Sequence, residues 1–180
     1  METDGDVGLA ARCNSFLREY EDRVAVYRKW DMPRPEFLYL KELGEKLPPF
    51  PEHKRIDSNL VTKCESNVYF TGCLQDGRMQ YQAASDSAFV RGEIYILLHL
   101  FNGMAPSEIL SEQTRPALKS FFRKLTEIAP ISTKRQYGLE GMYERIAAMA
   151  RYCGSGQCRC DEADPAVSPV PLVSPVEDAK

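Results

Sequence analysis

Apolar residues recur along this chain at two different spacings, and the change from one to the other marks out its elements. From Ala11 to Trp30, the residues Phe16, Tyr20, Val24, Tyr27 and Trp30 fall at steps of four and three, which places them on one face of a helix. Pro33 and Pro35 interrupt it. Pro35-Glu36 opens a second helix with Phe37, Leu40, Leu43 and Leu47 in register, and Pro48-Pro49 closes it. From Phe50 to Lys63 no period survives, which predicts a loop of about 14 residues. Structureless loops of that length are uncommon inside compact domains and are often functional.

The period then shortens to two. Asp76-Gly77 is a two-residue turn signature, and pairing outward from it sets Leu74 opposite Met79, Gly72 opposite Tyr81 and Phe70 opposite Ala83. The apolar residues of both strands share one face, while Thr71, Cys73, Gln80 and Gln82 share the other. Two independent alternations agree on one register, so a hairpin is expected, with Cys73 a bystander opposite Gln80 on the polar side. A third strand from the preceding loop would extend the sheet.

Helical spacing returns after Ser85-Asp86-Ser87. Ala88 to Phe101 is apolar nearly all round, the pattern of a central buried helix, and Asn102-Gly103 ends it. Ala105-Pro106-Ser107-Glu108 begins a short helical turn, and Pro116 starts a helix carrying Leu118, Phe121, Phe122 and Leu125. Ser132 or Thr133 caps a last helix with Leu139, Met142, Ile146, Met149 and Cys153 on one face. From Gly154 onward proline, small residues and acids replace any period. The chain therefore divides into a disordered start (1–10), one domain (11–153) and a disordered Pro-rich tail (154–180). The element order predicts an α+β fold, a small antiparallel sheet packed against helices.

Composition narrows the function classes. A chain of 180 residues suits one domain, and 43% hydrophobic with 27% charged residues is ordinary for a globular protein. A formal net charge of -3 leaves no basic footprint for nucleic acid. No apolar run approaches the roughly 18 residues of a membrane span. The acidic start, Met1-Glu2-Thr3-Asp4-Gly5-Asp6, reads neither as a secretory signal nor as a transit peptide. Six irregularly spaced cysteines without such a signal are expected to be reduced thiols in a cytoplasmic protein.

Candidate chemistry is sparse. There is no Gly-rich phosphate loop, nucleophile elbow or HExxH motif, and the acids show no paired-carboxylate arrangement. His53 lies in the long loop, and His99 lies inside the buried helix, where a core histidine is the simpler reading. Cys64 stands where the loop gives way to the first strand, with no second Cys or His within four residues to form a metal clamp. A thiol at the lip of a strand is exposed or withdrawn by a small loop movement. On these residues alone it reads either as a reactive single thiol or as inert packing. Near the end, Cys153, Cys158 and Cys160 are spaced C-x4-C-x-C, one ligand short of a structural zinc site.

Five short runs carry a resemblance. Leu43-Gly44-Glu45-Lys46-Leu47-Pro48, Cys64-Glu65-Ser66-Asn67-Val68-Tyr69, Ser85-Asp86-Ser87-Ala88, Met104-Ala105-Pro106-Ser107-Glu108-Ile109 and Arg135-Gln136-Tyr137-Gly138-Leu139-Glu140 occur in the order and spacing of the SufE family. The chain resembles these sulfur-acceptor proteins over about residues 20 to 150. The resemblance implies a fold shared with the IscU-type scaffold proteins. It implies that Cys64 takes sulfur from the persulfide of a pyridoxal-phosphate, SufS-like cysteine desulfurase, stimulates that enzyme, and passes the sulfur to a SufB-like iron–sulfur scaffold. No cofactor or metal of its own and no independent turnover are expected, since the pyridoxal phosphate belongs to the partner. Lys63, Glu65, Ser66, Asp86 and Arg135 are implied as loop support or partner contacts. Lys63 stands where the family has glycine, and reads either as a cation that favours the thiolate or as a solvated loop lysine. Asp86 doubles as a candidate cap of the buried helix, with Ser85 and Ser87 the other candidates. Two other functions are carried alongside: an IscU-like scaffold holding a cluster or zinc, and an interaction domain in which Cys64 is inert.

Overall fold

Asp76 and Gly77 both adopt positive φ, 50° and 76°, which two central residues of a type I′ hairpin turn require. Around them β1 (Val68–Gln75) pairs antiparallel with β2 (Arg78–Ser85) in the register the alternation predicts, Leu74 on Met79, Gly72 on Tyr81, Phe70 on Ala83 and Cys73 on Gln80. The computed structural model describes residues 8–129 and 131–158. Residues 1–7 and 159–180, and with them Cys160 and most of the expected tail, lie outside the described residues.

Six α-helices complete the described fold: α1 (Leu9–Lys29), α2 (Pro35–Glu45), α3 (Ala88–Phe101), α4 (Pro106–Ile109), α5 (Thr114–Ile128) and α6 (Thr133–Gly154). This is an α+β architecture. A two-stranded sheet is marginal alone in water, and here both its face and its edges are covered. Val68, Phe70, Met79 and Tyr81 are buried beneath α3 and α6, and the Tyr81 hydroxyl donates to the Ile146 carbonyl at 2.9 Å. The outer edge of β2 is satisfied by the chain after α3. Asn102 pairs through its amide with the Tyr81 backbone, at 2.7 and 3.2 Å, and Met79 N–H donates to the Met104 carbonyl at 2.8 Å.

The apolar stretch that becomes α3 is the centre of the core, with Ile94 through Leu98 at most 1% exposed. It lies against α2 at very short range. A Cβ on Gly92 would overlap the Leu40 carbonyl, and one on Gly44 would stand 2.8 Å from the Gly92 nitrogen. Bare glycines on both helices therefore set the approach. Arg12 of α1 donates to the Leu100 and Asn102 carbonyls at 3.2 and 2.8 Å, satisfying acceptors at the end of α3.

Several expectations are corrected. Trp30 does not continue the buried stripe of α1; it follows the last helical turn and is 67% exposed. The long loop contains two 3-10 turns, Glu52–Lys54 and Asp57–Asn59, and contributes one isolated bridge, Leu60 to Tyr69, instead of a third strand. The helix cap before α3 is Ser87, whose hydroxyl accepts from Val90 N–H, and not Asp86. The first helix begins at Leu9, so residues 9 and 10 belong to it and not to an unstructured start. The cysteines are not all reduced. Cys153, buried at the end of α6, is bonded to Cys158, and Cys73 on β1 is also in a disulfide. The physical reason is the helix terminus. Gly156 at φ 82° turns the chain so that Cys158 returns to Cys153 and packs against the core, while residues 155–157 stay exposed. No helix among the described residues is long and apolar enough to cross a membrane.

Candidate functional site

Cys64 sits at the tip of a loop whose base is closed by the Val61 N–H bond to the Val68 carbonyl, 2.8 Å long. Several contacts hold this loop onto α6 and the start of α3. Arg145 donates to the Ser58 carbonyl at 2.6 Å, fixing the incoming chain. Lys63 forms a surface salt bridge with Glu144 at 2.7 Å. Gly141 lets the two approach, since a Cβ there would stand 2.7 Å from the Lys63 Cβ. On the outgoing side the Asn67 amide donates to Asp86 at 3.4 Å. Asp86, exposed, thus ties the loop to the turn that leads into α3.

Behind the loop lies a cavity of about 310 Å³. Cys64, Glu65 and Ser66 line it from the loop, Ser87, Val90 and Glu93 from α3 and its cap, and Arg135, Gly138 and Met142 from α6. The structure therefore brings Cys64, Glu65, Ser66 and Arg135 to one cavity and leaves Lys63 and Asp86 as anchors of the loop around it. Arg135 lays its guanidinium over the Phe89 ring, 4.8 Å from the centroid, which holds the charge at the rim. Tyr137, next to Gly138, is 64% exposed.

The Cys64 thiol is half-buried and donates weakly to the Gly138 carbonyl, with sulfur and oxygen 3.7 Å apart. Burial first, and the Glu93 charge second, push its pKa up to about 11. Of the two readings of Lys63, the structure supports the surface lysine: its ammonium is committed to Glu144, and desolvation dominates the thiol. In this withdrawn position Cys64 is a thiol. The other free cysteine among the described residues, Cys13, is 4% exposed, and burial pushes it up to about 12.

Glu93 is the residue that reading the sequence missed. It is 2% exposed, and burial raises it to about 7 against the opposing pull of Arg135. The signal was present as an acid inside the otherwise apolar Ala88–Phe101 stretch. Its significance depends on which side of α3 meets the Cys64 loop, and no spacing along the chain reveals that. His99 packs between Phe16 and Tyr95, 5.4 and 6.3 Å between ring centroids, and burial lowers its pKa, as for a core histidine. Among the described residues no three His, Cys, Asp or Glu side chains gather closely enough to hold a metal.

Residues 21–150 match the SufE family, described as an Fe-S metabolism associated domain. An uncharacterized SufE-like protein of Rhizobium meliloti (strain 1021) is 36% identical over 140 residues, covering 76% of this chain and 88% of that one. The solution structure of a hypothetical protein from Thermus thermophilus superposes with a TM-score of 0.55 at 18% identity, covering 80% of this chain and 96% of that chain. That likeness concerns the fold alone.

Proposed function

The chain belongs to the SufE family, sulfur-transfer partners of a cysteine desulfurase in iron–sulfur metabolism, and from this we propose that Cys64 is the atom on which it carries sulfur. The observation that supports the assignment is the state of the thiols. Among the described residues, Cys64 is the free cysteine on a surface loop, while Cys13 is buried and Cys73, Cys153 and Cys158 are in disulfides.

The reaction is a thiol exchange. The Cys64 sulfur attacks the outer sulfur of a persulfide on the desulfurase, an S–S bond forms to Cys64, and the S–S bond on the enzyme breaks. The desulfurase cysteine leaves as a thiolate, Cys64 gives up its proton, and the transferred sulfur keeps its own hydrogen. No external oxidant or reductant enters. The enzyme's pyridoxal phosphate generates the persulfide; this chain supplies the acceptor and its surroundings. The loop is fastened mainly by surface contacts, Lys63 to Glu144 and Asn67 to Asp86, which are individually weak. They yield to a docking partner that presents its persulfide at the mouth of the Cys64 cavity, and their re-formation encloses the new persulfide in that half-buried site, away from competing thiols. The onward acceptor is an iron–sulfur scaffold of the SufB type, and stimulation of the desulfurase follows from removal of its persulfide.

Incubation with a cysteine desulfurase and free cysteine, followed by peptide mass spectrometry, tests this reading. A sulfur added to Cys64, and loss of both the mass gain and the stimulation in folded Cys64→Ser, are the expected results. Undiminished stimulation by the Ser variant would remove Cys64 as the acceptor.

A further inference from the structure

Cys64 must lose a proton in order to attack, and its resting neighbour cannot take one. The thiol points to the Gly138 carbonyl, which accepts a hydrogen bond but is no base. With the pKa near 11, only about one Cys64 in ten thousand is ionised at neutral pH, and the thiolate is the attacking species. The cavity wall contains a group suited to the task. Glu93 projects from α3 into the same cavity, is 2% exposed, and its Oε1 has no hydrogen-bond partner among the described residues. A buried carboxylate oxygen without a donor is costly and calls for an explanation.

The groups that face Glu93 come from three elements. Arg135 of α6 lines the cavity beside it, Cys64 and Glu65 come from the loop, and Tyr20 approaches from α1. The Tyr20 hydroxyl is committed to the Glu36 carbonyl at 2.6 Å, and Arg135 cannot accept a proton. Glu65 is exposed to solvent at the rim.

We propose that Glu93 is the proton acceptor for Cys64 during sulfur transfer. This rests on the reading of Cys64 as the persulfide carrier. The Glu93 charge adds to the cost of ionising Cys64, so near neutral pH the thiol keeps its proton while the carboxyl exchanges its own. As the Cys64 sulfur closes on the outer sulfur of the donor persulfide, its proton passes to the Glu93 carboxylate, directly or through a water in the cavity. The donor cysteine departs as a thiolate. Cys64 becomes a neutral persulfide and Glu93 a neutral acid. When the sulfur is handed on, Cys64 leaves as a thiolate and recovers the proton from Glu93. Each half returns the other to its starting state. With its carboxyl raised to about 7, Glu93 is matched to proton exchange near neutral pH.

The test uses the full chain and a small persulfide, glutathione persulfide, with sulfur on Cys64 followed by peptide mass spectrometry against pH. The unmodified protein is expected to accept sulfur at a rate that rises as Glu93 ionises and levels off above neutrality. Glu93→Gln is expected to be slower by about a hundredfold near neutral pH. Its rate should climb about tenfold per pH unit, as a free thiolate dictates, and Glu93→Asp should recover part of the loss. A Gln variant that matches the unmodified protein in rate and in pH profile overturns the role of Glu93 while leaving Cys64 as carrier. An unmodified protein that gains no sulfur on Cys64 overturns both. A purely structural role would lower the rate without changing the shape of the pH profile, and that outcome also counts against the proposal.

Discussion

Replacing Glu93 by glutamine is expected to stabilise the fold above neutral pH and to change it little in acid. The carboxyl is moved from 4.5 to about 7, with burial the largest cause. The folded chain therefore keeps a proton that the unfolded chain has already lost, so stability falls as pH rises between these two values and the loss is complete above the higher one. At about 1.4 kcal/mol per pH unit of separation, the ionised carboxylate costs on the order of 3 kcal/mol in an alkaline solution. Glutamine has nearly the same shape and no charge, but its amide still lacks a partner, which costs about 1 kcal/mol. The net gain is then about 2 kcal/mol near pH 8, or roughly 4–8 °C in melting temperature. Near pH 5 the two proteins should agree within about 1 kcal/mol. Thermal and urea melts followed by circular dichroism at both pH values measure this difference. An equal difference at the two pH values, or no gain near pH 8, would show that Glu93 is not a desolvated carboxylate. The expected combination, a more stable protein that accepts sulfur more slowly, is the trade-off of a group placed for chemistry at the expense of stability.

Three further outcomes follow from the loop and its supports. Gly141→Ala places a Cβ 2.7 Å from the Lys63 Cβ, so the Cys64 loop must lift from α6; faster iodoacetamide labelling of Cys64 is expected, with the rest of the fold retained on circular dichroism. Ser87→Ala removes the hydroxyl that accepts from Val90 N–H and should cost about 1 kcal/mol in urea melts, whereas Asp86→Ala should leave the cap intact and loosen the Asn67 end of the loop. Cys158→Ser opens a disulfide that closes a short loop, with five residues of sequence separation, and should cost about 2 kcal/mol in non-reducing urea melts; sulfur acceptance on Cys64 should persist.

What the sequence determined by itself was local. The hairpin register follows from a two-residue turn and two alternations that can agree in one way only, because a slip by one residue would turn every apolar side chain outward. Ala88–Phe101 is legible as the central helix because its apolar residues encircle it, and Cys64 stands out because five spaced runs around it carry a family resemblance. The tertiary structure decided whatever depends on which surfaces meet. Trp30 shares the period of α1 but follows its last residue, Lys29, and stands exposed, so period alone misplaced it. Lys63 is next to Cys64 in sequence, yet its charge goes to Glu144 on a helix about eighty positions away, and burial sets the ionisation of the thiol instead. Ser87 and Asp86 are equal as caps on composition; the geometry of the turn gives the cap to Ser87 and leaves Asp86 to Asn67. Glu93 is one acid among many in the sequence. It becomes exceptional only when the Cys64 loop closes over that side of α3, because the cost of a buried charge and the identity of its neighbours are properties of a cavity, and a cavity is made by packing.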